Sequence, residues 1–212
     1  MKFSKYNFVF ENILPNSKRS VIYNSRTGAL AVLESKNHLQ LLDFVDNRTL
    51  IEDLDFKESL YHCGYLVDDD FDELQQIKLD LLSQRHDKSI MNLTITDIYP
   101  LPKHCFCQAD HCNSWCIDSL GNVYKCLSDI GIENRKVATL SDFLIQNTPL
   151  FHSYMLYDAT EDPVCRTCKY LPICMGGCPY FRIHSNRSCD YRKYNLEEYL
   201  AGCAKALFAK VT

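Results

Sequence analysis

The chain has 212 residues with 23 Lys and Arg against 27 Asp and Glu, a net charge of −4. That length allows one sizeable domain or two small ones, and the mild acidity argues against a nucleic-acid binder, which carries a basic face. No apolar run reaches the ~20 residues that cross a bilayer, and no apolar signal segment follows the lysines of Met1-Lys2-Phe3-Ser4-Lys5, so the expectation is a cytoplasmic protein with neither membrane nor nucleic acid as partner.

In chain order, the N-terminal half reads as strands and helices. Tyr6–Glu11, Ser20–Asn24 and Ala29–Glu34 are rich in branched and aromatic residues and predict strands. Ser25-Arg26-Thr27-Gly28 closes the last two into a hairpin. Ser35 reads as an N-cap, and Leu39, Leu41, Leu42, Phe44 and Val45 supply an apolar helical face. A second helix over Asp55–His62 ends at Gly64, and Tyr65–Val67 returns as a strand. A third helix over Asp70–Arg85 carries Phe71, Leu74, Ile77, Leu81 and Leu82 at helical spacing, and Ile90–Ile95 is a last strand. Strands with three short helices resemble a small winged-helix unit. Asp68-Asp69-Asp70 and Asp72-Glu73 put acid where phosphate would need base, so the unit reads as a docking module. A peptide could pair with the hairpin edge as an added strand.

Of 12 cysteines, only Cys63 precedes Cys105. The shift sets a boundary near residue 97, with an N-terminal unit over 1–96 and a cysteine-rich domain over 97–212. In a reducing compartment, such crowding means metal rather than disulfides. Ser114–Asp118 and Asn122–Tyr124 predict a second hairpin turning at Leu120-Gly121, with Cys105, Cys107 and Cys112 before it and Cys126 just past it. The later block runs Cys165-x2-Cys168-x5-Cys174-x3-Cys178, then Cys189. Gly176-Gly177 frees the backbone so that Cys178 can turn away from Cys174. Cys116, Cys63 and Cys203 read as core cysteines, the last on a helical face with Leu196, Tyr199, Leu200 and Leu207. His104 and His111 read as solvent-exposed.

This pattern resembles the SPASM domain of radical S-adenosylmethionine (radical SAM) maturases of ribosomally made peptides. The family has a cysteine, a spacer, G-x4-C, C-x2-C-x5-C-x3-C and a final cysteine. Cys107 (or Cys105), Gly121, Cys126, Cys165, Cys168, Cys174, Cys178 and Cys189 match it, over about residues 97–200. The resemblance implies an α+β fold, with a winged-helix-like peptide-recognition unit followed by a small domain of hairpin, cluster loops and C-terminal helix. It also implies two 4Fe–4S clusters. The first would use Cys126 and Cys178 with one or two of Cys105, Cys107 and Cys112, of which Cys107 and Cys112 are favoured. The second would use Cys165, Cys168, Cys174 and Cys189. A precursor peptide or a radical SAM protein is the implied partner.

The family's catalytic barrel is another matter. Its C-x3-C-x2-C signature leaves one iron open for S-adenosylmethionine, and it is absent: Cys112-x3-Cys116 and Cys174-x3-Cys178 lack the third cysteine. Met91–Ile95 looks like the opening barrel strand, and Asp97–Pro102 like the approach to the later cysteines, as if the barrel were excised between about Thr94 and Asp97. S-adenosylmethionine is therefore not expected to bind, and no residue is assigned a catalytic role. The competing readings are an intact maturase forming thioether cross-links, as in the parent family, and a zinc-binding interaction module, since two four-thiolate zinc sites could use the same spacings.

Overall fold

The computed structural model describes residues 1–11, 19–86, 107–142, 148–185 and 189–209. The chain is a mixture of helix and sheet, with seven α-helices and three small antiparallel sheets among the described residues. None of the described helices is long and apolar enough to cross a membrane. The chain forms two compact units. One combines Met1–Glu73 with Tyr191–Thr212, and the other combines Leu74–Leu93 with Cys105–Asp190.

In the first unit, strands β1 (Lys2–Phe3), β2 (Asn7–Phe10), β3 (Ser20–Asn24) and β4 (Leu30–Leu33) precede helices α1 (Ser35–Asn47) and α2 (Leu54–His62) and strand β5 (Leu66–Val67). The sheet β2-β3-β4 has β3 at its centre. The hairpin register Ser20↔Leu33 through Tyr23↔Leu30 is the one expected from the turn at Gly28, which adopts φ +74°. Asn24, wholly buried, accepts the N–H groups of Arg26 and Thr27 at 2.9 Å each and so closes that turn. Its amide donates toward Asn7 Oδ1 (2.7 Å), the Gly64 carbonyl (2.9 Å) and Ser4 Oγ (3.1 Å). One side chain thus fixes the N-terminus, the hairpin and the end of α2 together. Ile22, Leu33, Leu41, Ile51, Leu60, Tyr65 and Leu66 form the apolar core beside it. Each such fully buried side chain stabilises the fold by roughly 1.5–3 kcal/mol.

Three local expectations are corrected. The N-cap of α1 is Glu34, not Ser35, and it makes no side-chain cap bond. Helix α2 starts earlier than expected because Asp53 caps it, accepting from the Phe56 N–H at 3.0 Å; such caps are worth about 1 kcal/mol. Cys63 is exposed rather than buried, because it ends α2 just before Gly64 turns at φ +77°. The β1–β5 pairing, Lys2↔Val67 and Phe3↔Leu66, was not foreseen. The Ile90–Ile95 strand, the segment around Thr94–Asp97, Cys105 and His104 lie outside the described residues.

Helix α3 (Glu73–His86) begins in the first unit and continues in the second, where Lys78 pairs with Glu161 and lies 3.7 Å from Asp158. The second unit then carries β6 (Cys116–Ile117), β7 (Asn122–Tyr124), β8 (Ala138–Thr139), α4 (Pro149–Met155), α5 (Leu171–Cys174) and α6 (Pro179–His184). The β6–β7 hairpin pairs Cys116 with Tyr124, and β8 adds a third strand that the sequence did not announce. Its turn is built by Asp118, whose Oδ1 accepts from the Leu120 and Asn122 N–H groups at 2.9 Å each, with Gly121 at φ +79°. The last helix, α7 (Arg192–Ala209), belongs to the first unit: Ala204 packs with Val21, Leu30 and Val32 of β3 and β4. Cys203 is buried there, as expected from its helical face.

Candidate functional site

The cysteines of the second unit divide into two groups. Cys107, just before a 3-10 turn at Gln108–Asp110, lies within electrostatic reach of Cys126 and Cys178. These three residues come from three separated stretches: the entry loop, the end of β7 and the N-cap of α6. Desolvation is the largest influence on the Cys107 thiol and pushes it up to about 11; the Ala109 N–H opposes this, and Asp110, Cys126 and Cys178 add to it. A thiol so placed gives up its proton only to a strong acceptor or a metal. Cys112 joins through Lys125, whose ammonium senses the thiols of Cys112, Cys116 and Cys107. Cys116 is half-buried and feels Cys126, so it borders this group rather than sitting in a core.

Buried polar cross-links hold the group together. Asp110, between Cys107 and Cys112, pairs with Arg182 at 2.7 Å, both side chains less than a tenth exposed. Arg182 lies one turn past Cys178, donates its backbone N–H to the Cys178 carbonyl (3.0 Å), and stacks on Tyr157 with its guanidinium carbon 3.7 Å from the ring centroid. Asp129, three residues past Cys126, has no exposed surface. It accepts from Tyr154 OH at 2.7 Å and Arg135 Nη1 at 3.1 Å, and faces His184 Nε2 of α6 at 3.2 Å. The loops bearing Cys112 and Cys126 are thus each tied to the helix that Cys178 begins.

Lys125, next to Cys126, is only 1% exposed. Burial pulls its ammonium down to about 8, opposed by Cys112, Asp110, Cys116 and Cys107. His111, expected at the surface, is buried, with Nδ1 accepting from the Asn113 N–H at 3.2 Å. Sequence reasoning named none of Asp110, Lys125, Asp129 and Arg182 as site residues. The available signal was their position, one to four residues from a cysteine, together with a charge that burial would make costly.

In the second group, Asp162 Oδ1 accepts from the N–H groups of Val164 (2.9 Å) and Cys165 (3.0 Å) and starts the turn that carries Cys165 and Cys168. This turn packs on α5, which ends at Cys174. Cys174 lies beside Cys189; burial pushes its thiol up, while N–H groups of Asp190, whose nitrogen is 3.4 Å from the sulfur, and Gly176 favour the thiolate. Met175, Gly176 and Gly177 have φ +46°, +85° and +82°. This left-handed run turns the backbone between Cys174 and Cys178, so two cysteines four positions apart face different neighbours, Cys189 and Cys107.

Among the described residues, no three of His, Cys, Asp and Glu close on a point at the spacing of a single metal ion. With Zn–S near 2.3 Å, a zinc ion needs its thiolates within about 4 Å of one another. A four-iron cluster takes one thiolate at each corner of a larger core. Arg182 Nε and Nη1 are buried with no hydrogen-bond acceptor among the described residues, and sulfide edges would provide acceptors.

No family model, curated protein or solved structure matches this chain.

Proposed function

We propose that the chain is an iron–sulfur protein of SPASM type, related to radical SAM maturases of ribosomally made peptides, which holds two 4Fe–4S clusters and serves as a binding or electron-transfer partner without generating the radical. The observation that carries this reading is the gathering of Cys107, Cys126 and Cys178 from three distant stretches, while Cys174, four residues before Cys178, faces Cys189 instead. Cys107, Cys112, Cys126 and Cys178 would hold the first cluster, and Cys165, Cys168, Cys174 and Cys189 the second. Such clusters supply one-electron transfer, at potentials set by charge, hydrogen bonds and exposure.

The chain's own residues gather and orient the thiolates through Asp110–Arg182, Asp129–His184 and the hydrogen bonds to Cys174. The absent C-x3-C-x2-C sequence removes the S-adenosylmethionine site, so turnover belongs to a partner. The three-stranded sheet followed by helices in the first unit supports the winged-helix-like reading, and its outer strands β2 and β4 are the edges where a precursor peptide would pair.

Anaerobic purification followed by iron, sulfide and zinc analysis, with electron paramagnetic resonance of the dithionite-reduced protein, tests the reading. The expected result is a brown protein with about eight irons per chain, four per cluster, and reduced-cluster signals. Colourless protein with stoichiometric zinc would establish the zinc module instead. S-adenosylmethionine cleavage by this chain alone would establish an intact enzyme.

A further inference from the structure

We infer that Lys125 is a positioning residue for the first cluster, stitching the Cys112 loop to the end of β7 and placing one fixed positive charge beside the thiolates, so that the reduced cluster is stabilised. The inference rests on the iron–sulfur reading above.

The placement is specific. Lys125 Nζ donates to the carbonyls of His111 (2.6 Å) and Ser114 (2.8 Å), which flank Cys112, while its own backbone leads directly into Cys126. One ammonium therefore sets the separation of two candidate ligands. Its ammonium lies over two aromatic rings: Nζ is 4.5 Å from the Trp115 centroid and 5.9 Å from that of Phe151, and the two rings stack at 5.7 Å with 10° between their planes. Ring faces attract a desolvated cation but do not cancel its charge.

Neutralisation by a carboxylate is also absent. Among the described residues Lys125 makes no ion pair, and the nearby Asp110 is committed to Arg182. A buried, unpaired ammonium is costly. The groups that act on it electrostatically are Cys112, Asp110, Cys116 and Cys107, three of them thiols that would ionise onto a metal. Four thiolates on a 4Fe–4S core carry net negative charge, and reduction adds one more, so a fixed cation favours the reduced form and raises the potential.

The test is an electron paramagnetic resonance redox titration of the full chain bearing Lys125→Met, Lys125→Gln or Lys125→Arg. The second cluster serves as the control in the same sample. With about eight irons retained, Lys125→Met is expected to shift the reduced-to-oxidised ratio of the first cluster at least tenfold toward oxidised, a fall of about 59 mV for one electron. The second cluster's midpoint stays in place, and Lys125→Arg restores the first. Lys125→Gln keeps donors without the charge and carries the comparison if Lys125→Met loads only about four irons. Eight irons with both midpoints unmoved in the uncharged variants would overturn the role of Lys125 and leave the cluster assignment standing. A wild-type chain without iron would overturn both.

Discussion

Asp129 is the sharpest point at which to perturb the second unit. Its carboxylate has no exposed surface and serves Tyr154, Arg135 and His184 at 2.7, 3.1 and 3.2 Å. Replacing it with Ala leaves a fully buried tyrosine hydroxyl and two nitrogen-bearing side chains without their shared acceptor. Removing one partner from a buried ionic group costs about 3–5 kcal/mol. Tyr154→Phe deletes only one hydrogen bond to the charged group, about 1.5–3 kcal/mol, because Arg135 and His184 still hold the carboxylate. The assay is urea unfolding followed by fluorescence of Trp115, the chain's single tryptophan, which sits in the same unit stacked on Phe151. The midpoint shift multiplied by the denaturant slope converts to free energy. The double variant is expected to cost less than the sum of the two, since both act on one contact. If Asp129→Ala costs less than Tyr154→Phe, or the two effects simply add, then the carboxylate does not organise this region.

Cys126→Ser and Cys189→Ser should each lose about four of roughly eight irons. Cys126→Ser with Cys178→Ser should lose no more than Cys126→Ser alone, while Cys126→Ser with Cys189→Ser should lose nearly all; metal analysis decides. Gly176→Ala imposes a side chain at φ +85° with its Cβ 2.7 Å from Tyr157 Cε1, whereas Gly131→Ala at φ +82° meets nothing within 4 Å. Both incur backbone strain of order 1–3 kcal/mol, and Gly176→Ala should unfold at distinctly lower urea and lose iron. Asn24→Ala removes the acceptor of two turn N–H groups and the donor to Asn7 and Gly64. It should destabilise the first unit by about 2–4 kcal/mol by circular-dichroism melting, from several buried hydrogen bonds at once, with iron content unchanged.

Local signals account for what could be read before the structure. Ser20–Asn24 appears as a strand with the expected bounds because its branched and aromatic residues and the following Gly28 turn act over a few residues. Gly176-Gly177 likewise marked a local turn, seen as positive φ at both glycines, whereas the division of the cysteines into two sets was implied by the family resemblance alone. Pairings set by distant residues were not legible. β1 and β5 are two residues each, too short to show a period, and they meet across the whole first unit. Asp110 and Arg182 lie 72 positions apart, and nothing in either neighbourhood marks the other. His111 was misread because a histidine in a polar loop looks exposed until the loop folds over it.

The two units bury different kinds of polar group, and the difference bears on what each must hold. Within the first, Ser4, Asn7, Ser20, Asn24 and Ser25 are buried and neutral, with His38 and one buried carboxylate, Glu73, which lies 3.6 Å from Arg26. The Glu73 carboxylate is met by protein groups of the same unit, Ser4 Oγ, the Lys5 N–H and Arg26. Asp110, Lys125 and Asp129 are buried in the second, with Arg182 nearly so, each within four residues of a proposed ligand. Buried charges rarely improve stability over apolar packing, so stability alone does not explain four of them around one group of thiols. The proposed anionic core would need cationic neighbours, and carboxylates to orient the loops carrying its ligands. In the proposed reading the two carboxylates fasten loops to α6 through Arg182 and His184, leaving Lys125 as the cation among them with no carboxylate paired to it in the described residues.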